Sequence, residues 1–390
     1  MPNPIGGSTQ GASSVPQNSN SAKSSSQILV PFARAAKSHV EQGQTFSVAS
    51  PWGGKINAKI PTYGFLTAVY ITTQASGGSG SATVATTEDA PWNVYSNILL
   101  TDVNGTPIYN IDGYSTYLAR LYGGYKLFRP DISSYAFSAV ATGANASGNF
   151  KTILPLFLNF GRDLLGSLPN MDASAAYNLI LSLNAATAGS NPLSNLYSTA
   201  PTNPPTLNIT VEIAARARPT ATDPFGNTQE QLPPTPGTVQ YWTSQQFTVN
   251  SGNNTIYLSR VGNLIRNHIL IFRDSSNTRS GAETNVVPSF LEFDWDSGQR
   301  FVCNTATLRQ QSYEITGIDA PNGVVPLLNT EDADGLVTGE FGDDWLPTVS
   351  ATKLALKFTS TQAGTLTVLT NDIVPGAGNI FAAPIMQFTD

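Results

Sequence analysis

Apolar residues in this chain recur mostly at every second position, the period of a β-strand, and seldom at helical spacing. Residues 151–183, KTILPLFLNFGRDLLGSLPNMDASAAYNLILSL, show it most fully. In the first limb Leu154, Leu156, Leu158 and Phe160 share one face and Ile153 and Phe157 the other, which predicts a strand covered on both sides. In the second limb Tyr177, Leu179, Leu181 and Leu183 alternate with Asn178, Ile180 and Ser182, as in a half-buried strand. Between them Gly161, Arg162, Asp163, Gly166 and Pro169 break any regular element. A strand pair with so long an elbow suits a large sandwich with enlarged loops at one end.

The rest of the chain follows the same pattern. Residues 1–27 are Ser/Asn/Gly/Gln-rich with little to bury and read as an arm. Residues 28–40 predict one short helix, with Pro31 at its first position and Phe32, Ala36 and Val40 on one face. Strands begin at Gln42. Residues 63–73 are apolar on both faces and therefore central, 75–87 read as a loop and 91–95 as a helical turn. In 98–110 Asn104-Gly105 supplies the two positive-φ positions of a type I′ hairpin. A helix over 116–122 ends at Gly123-Gly124, and 207–215 alternates cleanly. Proline-rich 218–238 reads as a linker. Beyond it Phe247 and Val249 alternate, 268–272 is a central run, and Leu291, Phe293 and Trp295 share a strand face. A helix is predicted over 301–311, then strands over 323–328, 353–359 and 365–370. The organisation of the first half thus recurs in the second without a repeat in sequence. The expected division is an arm with a short helix (1–41), one sandwich (42–217), a linker (218–238) and a second sandwich (239–390).

Composition narrows the function. At 390 residues two domains are expected. Only 12% of residues are charged against about 25% in ordinary soluble domains, as if much of the surface were covered by neighbouring subunits. A net charge of −6 argues against nucleic-acid binding by the whole chain. The single cysteine, Cys303, excludes an internal disulfide and reads as a small packed hydrophobe. No basic-then-apolar leader and no run of ~18 apolar residues is present, which predicts synthesis in a cytoplasm and no spanning helix. Lys23, Arg34 and Lys37 make the arm mildly basic, fit either to touch a membrane or other anionic surface or to pack on its own domain.

Catalytic patterns are missing. With only His39 and His268, zinc-hydrolase and Cys/His protease layouts are excluded in practice, and no nucleophile elbow or phosphate-binding glycine loop occurs. Carboxylates Glu292, Asp294 and Asp296 alternate along one strand face. A glycosidase pair at Asp294 and Asp296 stands against a plain wet strand face. The loop with Glu331, Asp332 and Asp334 fails as an EF-hand because Thr330 and Phe341 hold the first and twelfth positions. A looser Ca²⁺ site at Asp332 and Asp334, with Asp343 or Asp344, stands against a solvated loop. No metal or cofactor is therefore expected.

Three stretches together resemble the major capsid proteins of tailless, internal-membrane double-stranded DNA bacteriophages, the tectivirus-like double jelly-roll family. The first is the hairpin with Asp102, Asn104 and Gly105. The second is Leu154-Pro155-Leu156, Arg162, Leu168-Pro169 and the returning strand 179–183. The third is APNGVVPLL at 320–328, containing Gly323. Their order and spacing span about residues 42–375. The resemblance implies an all-β fold of two eight-stranded jelly-roll sandwiches side by side with short helical inserts. It implies a structural protein, not an enzyme, whose homotrimers form pseudo-hexagonal blocks tiling an icosahedral virion shell around an internal membrane. Implied partners are neighbouring trimers, penton and minor capsid proteins, and the membrane at the arm, with no sequence-specific nucleic-acid contact. Loops 75–87, 139–148 and 186–205 are expected at tower or inter-capsomer surfaces, and Arg162 and Asp163 are expected to pair. A virion spike or receptor-binding β-protein, or a carbohydrate-active sandwich enzyme, is the alternative.

Overall fold

A computed structural model describes residues 32–80, 83–123, 137–160, 165–222, 228–230, 232–233, 237–296, 298–329, 345–349 and 351–374. Its principal strands fall into two sets of eight. The first set is β1 (Ser38–Val48), β2 (Lys55–Lys59), β3 (Phe65–Ser76), β4 (Tyr95–Thr101), β5 (Pro107–Ile111), β6 (Phe150–Phe157), β7 (Asn178–Leu183) and β8 (Thr206–Arg216). The second is β9 (Val239–Val249), β10 (Gly252–Leu258), β11 (Leu264–Asp274), β12 (Phe290–Trp295), β13 (Gly298–Asn304), β14 (Val324–Leu328), β15 (Leu354–Ser360) and β16 (Gly364–Val374). The helices are α1 (Phe32–Ala35), α2 (Gly113–Tyr122), α3 (Arg279–Asn285) and α4 (Thr305–Thr316).

Each set makes a sandwich of two sheets with one topology. The first pairs β1-β8-β3-β6 and β2-β7-β4-β5; the second pairs β9-β16-β11-β14 and β10-β15-β12-β13. A helix follows the fifth strand in both, α2 after β5 and α4 after β13. The sandwiches are joined, because β5 runs parallel beside β9 with Tyr109 opposite Trp242 and Asn110 opposite Thr243. Sheet β2-β7-β4-β5 therefore continues into β9-β16-β11-β14. Strand β11, buried at ten successive positions, carries Leu270 and Phe272 into the second core and Ile269 and Ile271 into the core of the first sandwich.

Several expectations change. The two limbs of 151–183 do not pair: β6 and β7 lie in opposite sheets, so the elbow crosses the sandwich. Strand β6 is an edge, with Ile153 and Phe157 only half-buried, and Pro155 is tolerated there because an edge strand forgoes a donor on one side. The helix expected over 28–40 is the single turn α1; Val40 already pairs with Ala214 in β1. The helix expected over 301–311 starts later. Phe301 and Cys303 pair across β13 with Phe293 and Leu291, and Asn304 accepts the Ala306 N–H at 2.8 Å to begin α4. At the hairpin only Gly105 has positive φ (+83°). Its N–H donates to Asp102 O at 3.0 Å, while Asp102 Oδ1 accepts from Asn104 N and Thr106 N, so the turn is not type I′.

Candidate functional site

The reactive-looking residues are committed elsewhere. Lys357 reaches across from β15 and places its ammonium 2.9 Å from Glu292 and 2.5 Å from Asp294. This contact holds the Asp294 carboxyl below the usual carboxylate range, the reverse of what a proton donor in glycoside hydrolysis needs. Asp296 lies beyond the strand in a left-handed turn (φ +53°), where its Oδ1 accepts from the Thr352 and Lys353 N–H groups. His268 is fully buried 5.8 Å from Phe293. Burial, aided by the Arg300 charge, pushes its pKa down to about 3, so it is a neutral core residue. His39 stacks on Tyr63 and lies 3.3 Å from Glu41. Among the described residues no group of three or more His, Cys, Asp or Glu is placed to hold a metal, and no helix is long and apolar enough to cross a membrane.

What the sequence builds instead is a seam between the sandwiches. Helix α2 starts at Asp112, whose carboxylate accepts from Ser115 N at 2.7 Å, and it must start with glycine. A Cβ on Gly113 would stand 2.0 Å from Trp92 O. Tyr114, Leu118, Ala119 and Tyr122 then enter one core with Trp242, Ile269, Ile271, Val324 and Leu369 of the second sandwich. At the C-terminal end of α2 the orphan carbonyls are met from across the seam. Asn267 Nδ2 donates to Tyr122 O at 3.0 Å and Arg266 Nη2 to Gly123 O at 3.1 Å. Near its other end the Arg279 guanidinium lies 4.4 Å over the Tyr114 ring. Arg279 and Arg273 together grip Asp89, at 2.7 and 2.6 Å, with all three side chains under a tenth exposed. The Glu88 carboxylate takes the Arg279 and Ser280 N–H groups at the start of α3. Gln240 Nε2 donates to Phe157 O and Leu158 O. Apart from the Asp112 cap and the approach of Gly113 to Trp92, each of these contacts joins the two halves of the chain.

A second feature unites the three loops expected over 75–87, 139–148 and 186–205. They contain short strands Thr83–Thr86, Gly143–Ala144, Ala185–Ala188 and Asn195–Thr199, which hydrogen-bond into one small sheet. No Asp, Glu, Lys or Arg occurs in 75–87, 137–150 or 184–211. This crown is pinned by amides and rings. Asn93 Nδ2 donates to Pro192 O and Asn195 O, Asn184 Nδ2 to Asn93 O and Leu193 O, and Tyr197 packs 5.8 Å from Trp52 with its hydroxyl donating to Gly148 O.

The residues singled out from sequence fall as follows. Asn104 and Gly105 are at the exposed tip of the β4–β5 hairpin; Pro155 is on edge strand β6 opposite Tyr70. Pro169 pairs with Phe65, and its carbonyl accepts from the Tyr177 hydroxyl. Gly323 (φ +74°) gives its N–H to Glu283 and has no room for a side chain, since a Cβ would lie 2.7 Å from Phe272 O. Arg34 lies in α1, and Lys37 is exposed just after it. Lys23, Arg162, Asp163, Asp332, Asp334, Asp343 and Asp344, with most of the arm and part of the linker, lie outside the described residues. The seam charges Glu88, Asp89, Arg273 and Arg279 were not anticipated, because nearly two hundred residues separate the partners.

Two sandwiches of identical strand order, each with a helix after its fifth strand, define the double jelly-roll class of protein. The structure is similar to the major capsid protein of Sulfolobus turreted icosahedral virus, STIV (15% identity, 87% of this chain and 97% of that one, TM-score 0.59). It is also similar to VP54 of PBCV-1 (11%, 87% and 94%, 0.58) and the major capsid protein of bacteriophage PM2 (10%, 88% and 99%, 0.52). No protein-family model matches the sequence, and no curated protein matches it.

Proposed function

We propose that this chain is a major capsid subunit: a structural protein, not an enzyme, that forms homotrimers and tiles an icosahedral virion shell around an internal membrane. The observation that carries it is the likeness in fold to capsid proteins across 87% of the chain. The seam supports it, because a shell subunit has to behave as one rigid block, and here buried ion pairs and a shared sheet fasten the two rolls. In this reading residues 42–217 and 239–390 are the rolls and 218–238 the joint, with β1 extending the first roll back to Ser38. The protein is made in a host cytoplasm and resides in the virion. Its partners are neighbouring trimers, penton and minor capsid proteins. The arm, with Lys23, Arg34 and Lys37, contacts the internal membrane, and Arg162 and Asp163 form ion pairs within or across subunits.

Light scattering on the purified full chain tests this. The expected mass is three times 41.3 kDa, stable to dilution, with contacts burying more than ~2,000 Å² per assembly. A dilution-stable monomer overturns it.

A further inference from the structure

The chain contains two Asn-Gly dipeptides, Asn104-Gly105 in the first roll and Asn322-Gly323 in the second. In such a pair the glycine nitrogen has no side chain beside it to keep it from the side-chain carbonyl of the asparagine. The two dipeptides share this chemistry and are held in opposite ways.

At Asn322-Gly323 the backbone is bolted at three points. Asn322 O accepts from Arg279 Nη1 at 2.9 Å, Gly323 N donates to Glu283 Oε2 at 2.6 Å, and Gly323 O accepts from Phe272 N at 2.8 Å. Gly323 is also buried, with Phe272 O and Arg279 packed where a Cβ would stand. Its nitrogen cannot turn towards Asn322 Cγ without breaking contacts to both α3 and β11.

At Asn104-Gly105 both residues are exposed, and a Cβ built on Gly105 meets nothing within 4 Å. Among the described residues Asn104 is tethered through its backbone N–H alone, to Asp102 Oδ1. Gly105 N is held by one neutral bond, to Asp102 O at 3.0 Å, in a tip that can open without disturbing a core. The hairpin lies at the end of the first roll away from the crown. Strand β4 leaves the crown side at Tyr95 and reaches the hairpin at Thr101. Strand β8 likewise runs from Thr206 to Arg216, which pairs with Ser38 just after α1.

We infer that Asn104 is a site of spontaneous covalent modification, from which the fold protects Asn322. Gly105 N attacks Asn104 Cγ as its proton passes to solvent base; the Cγ–Nδ2 bond breaks and Nδ2 leaves as ammonia. Water then opens the cyclic imide at either carbonyl, giving aspartate or its β-linked isomer. Each product puts a second carboxylate on the hairpin beside Asp102, so every copy gains negative charge with age at the end where α1 begins. The β-linked product also inserts a methylene into the backbone of the turn that Asp102 Oδ1 organises through Asn104 N and Thr106 N. None of this depends on the capsid reading.

The test incubates the full chain folded and, separately, unfolded in guanidinium chloride. Digestion and mass spectrometry then map the amide-to-acid conversion, with isoaspartate scored by its specific methyltransferase. In the folded protein Asn104 should convert roughly tenfold or more faster than Asn322, because a protected amide reacts only through local opening. In denaturant the two rates should converge, since only the shared dipeptide remains. Glu283→Ala, which frees Gly323 N, should raise the Asn322 rate and leave that of Asn104 unchanged. Asn104→Gln should remove the first-roll product without moving the urea midpoint. Equal rates in the folded chain, or conversion of Asn322 alone, overturn the inference. Conversion of Asn104 in denaturant only also overturns it, and would show that the bond to Asp102 O holds the turn shut.

Discussion

Helices α2 and α4 hold the same place in the two rolls and are fastened in opposite ways. Around α2 the polar groups are buried and paired across to the other half of the chain: Asp89 is held by Arg273 and Arg279, and the terminal carbonyls by Asn267 and Arg266. Helix α4 is held locally and near water. Arg309 forms a two-pronged pair with Glu283 at 2.5 and 2.8 Å, both side chains about a quarter exposed, and donates to Val324 O. It ends at Gly317 in the left-handed conformation (φ +66°), a stop that needs no partner. The lesson is about what a charge does in each setting. Buried, it makes two folding units inseparable, because either partner alone is a stranded ion. Half-exposed, it trims the position of a helix at little cost if lost.

Three changes break or sharpen that contrast. Asp89→Ala leaves Arg273 and Arg279 buried without a counter-ion, and is expected to cost about 3–5 kcal/mol, read as a fall in the urea midpoint. A loss below about 1 kcal/mol would mean the seam is wetter than its geometry. Next comes pH. The folded pKa of His268, about 3, lies below the unfolded value of about 6.5, so the unfolded chain takes up the proton first. The contribution of His268 is intact above about pH 6.5 and falls by about 1.4 kcal/mol per unit as pH drops towards 3. Urea midpoints at pH 7, 6 and 5 should show about 2 kcal/mol of loss by pH 5, and His268→Leu should flatten that part of the curve. The smallest effect belongs to α4. The hydrogen bond from Arg309, with that from Gly323 N, keeps the Glu283 carboxyl below its usual range. Its contribution is present above about pH 4.5 and lost as pH falls through the lower, folded value. Glu283→Gln should cost about 1 kcal/mol at pH 7 after allowing for solvent exposure, a gap that closes in acid.

Elements that bury apolar side chains in alternation were legible: β3, β8 and β11 fall where their hydrophobic runs lie, as does α2 before Gly123. Boundaries set by one side chain were harder. The Asn304 cap and the Gly317 stop frame α4, but an alternating Phe301 and Cys303 beside them mimic a helix start, and only pairing with β12 shows them to be strand. Strand β1 was misread because Phe32, Ala36 and Val40 also fit helical spacing; pairing with β8 decided otherwise. The seam left no local trace, since Asp89 and its arginines meet only once both rolls are folded. The common topology of the rolls was visible as a recurring order of elements, because order survives when side chains diverge.

The crown has a consequence for the conditions under which it works. Salt acts on protein surfaces mainly by screening charge, over about 8–10 Å at physiological strength, and acid acts by titrating it. The segments that make the crown offer neither a charge to screen nor a carboxylate, amine or imidazole to titrate. A contact made through it would rest on shape and neutral hydrogen bonds, with no charge of the crown's own for salt to screen.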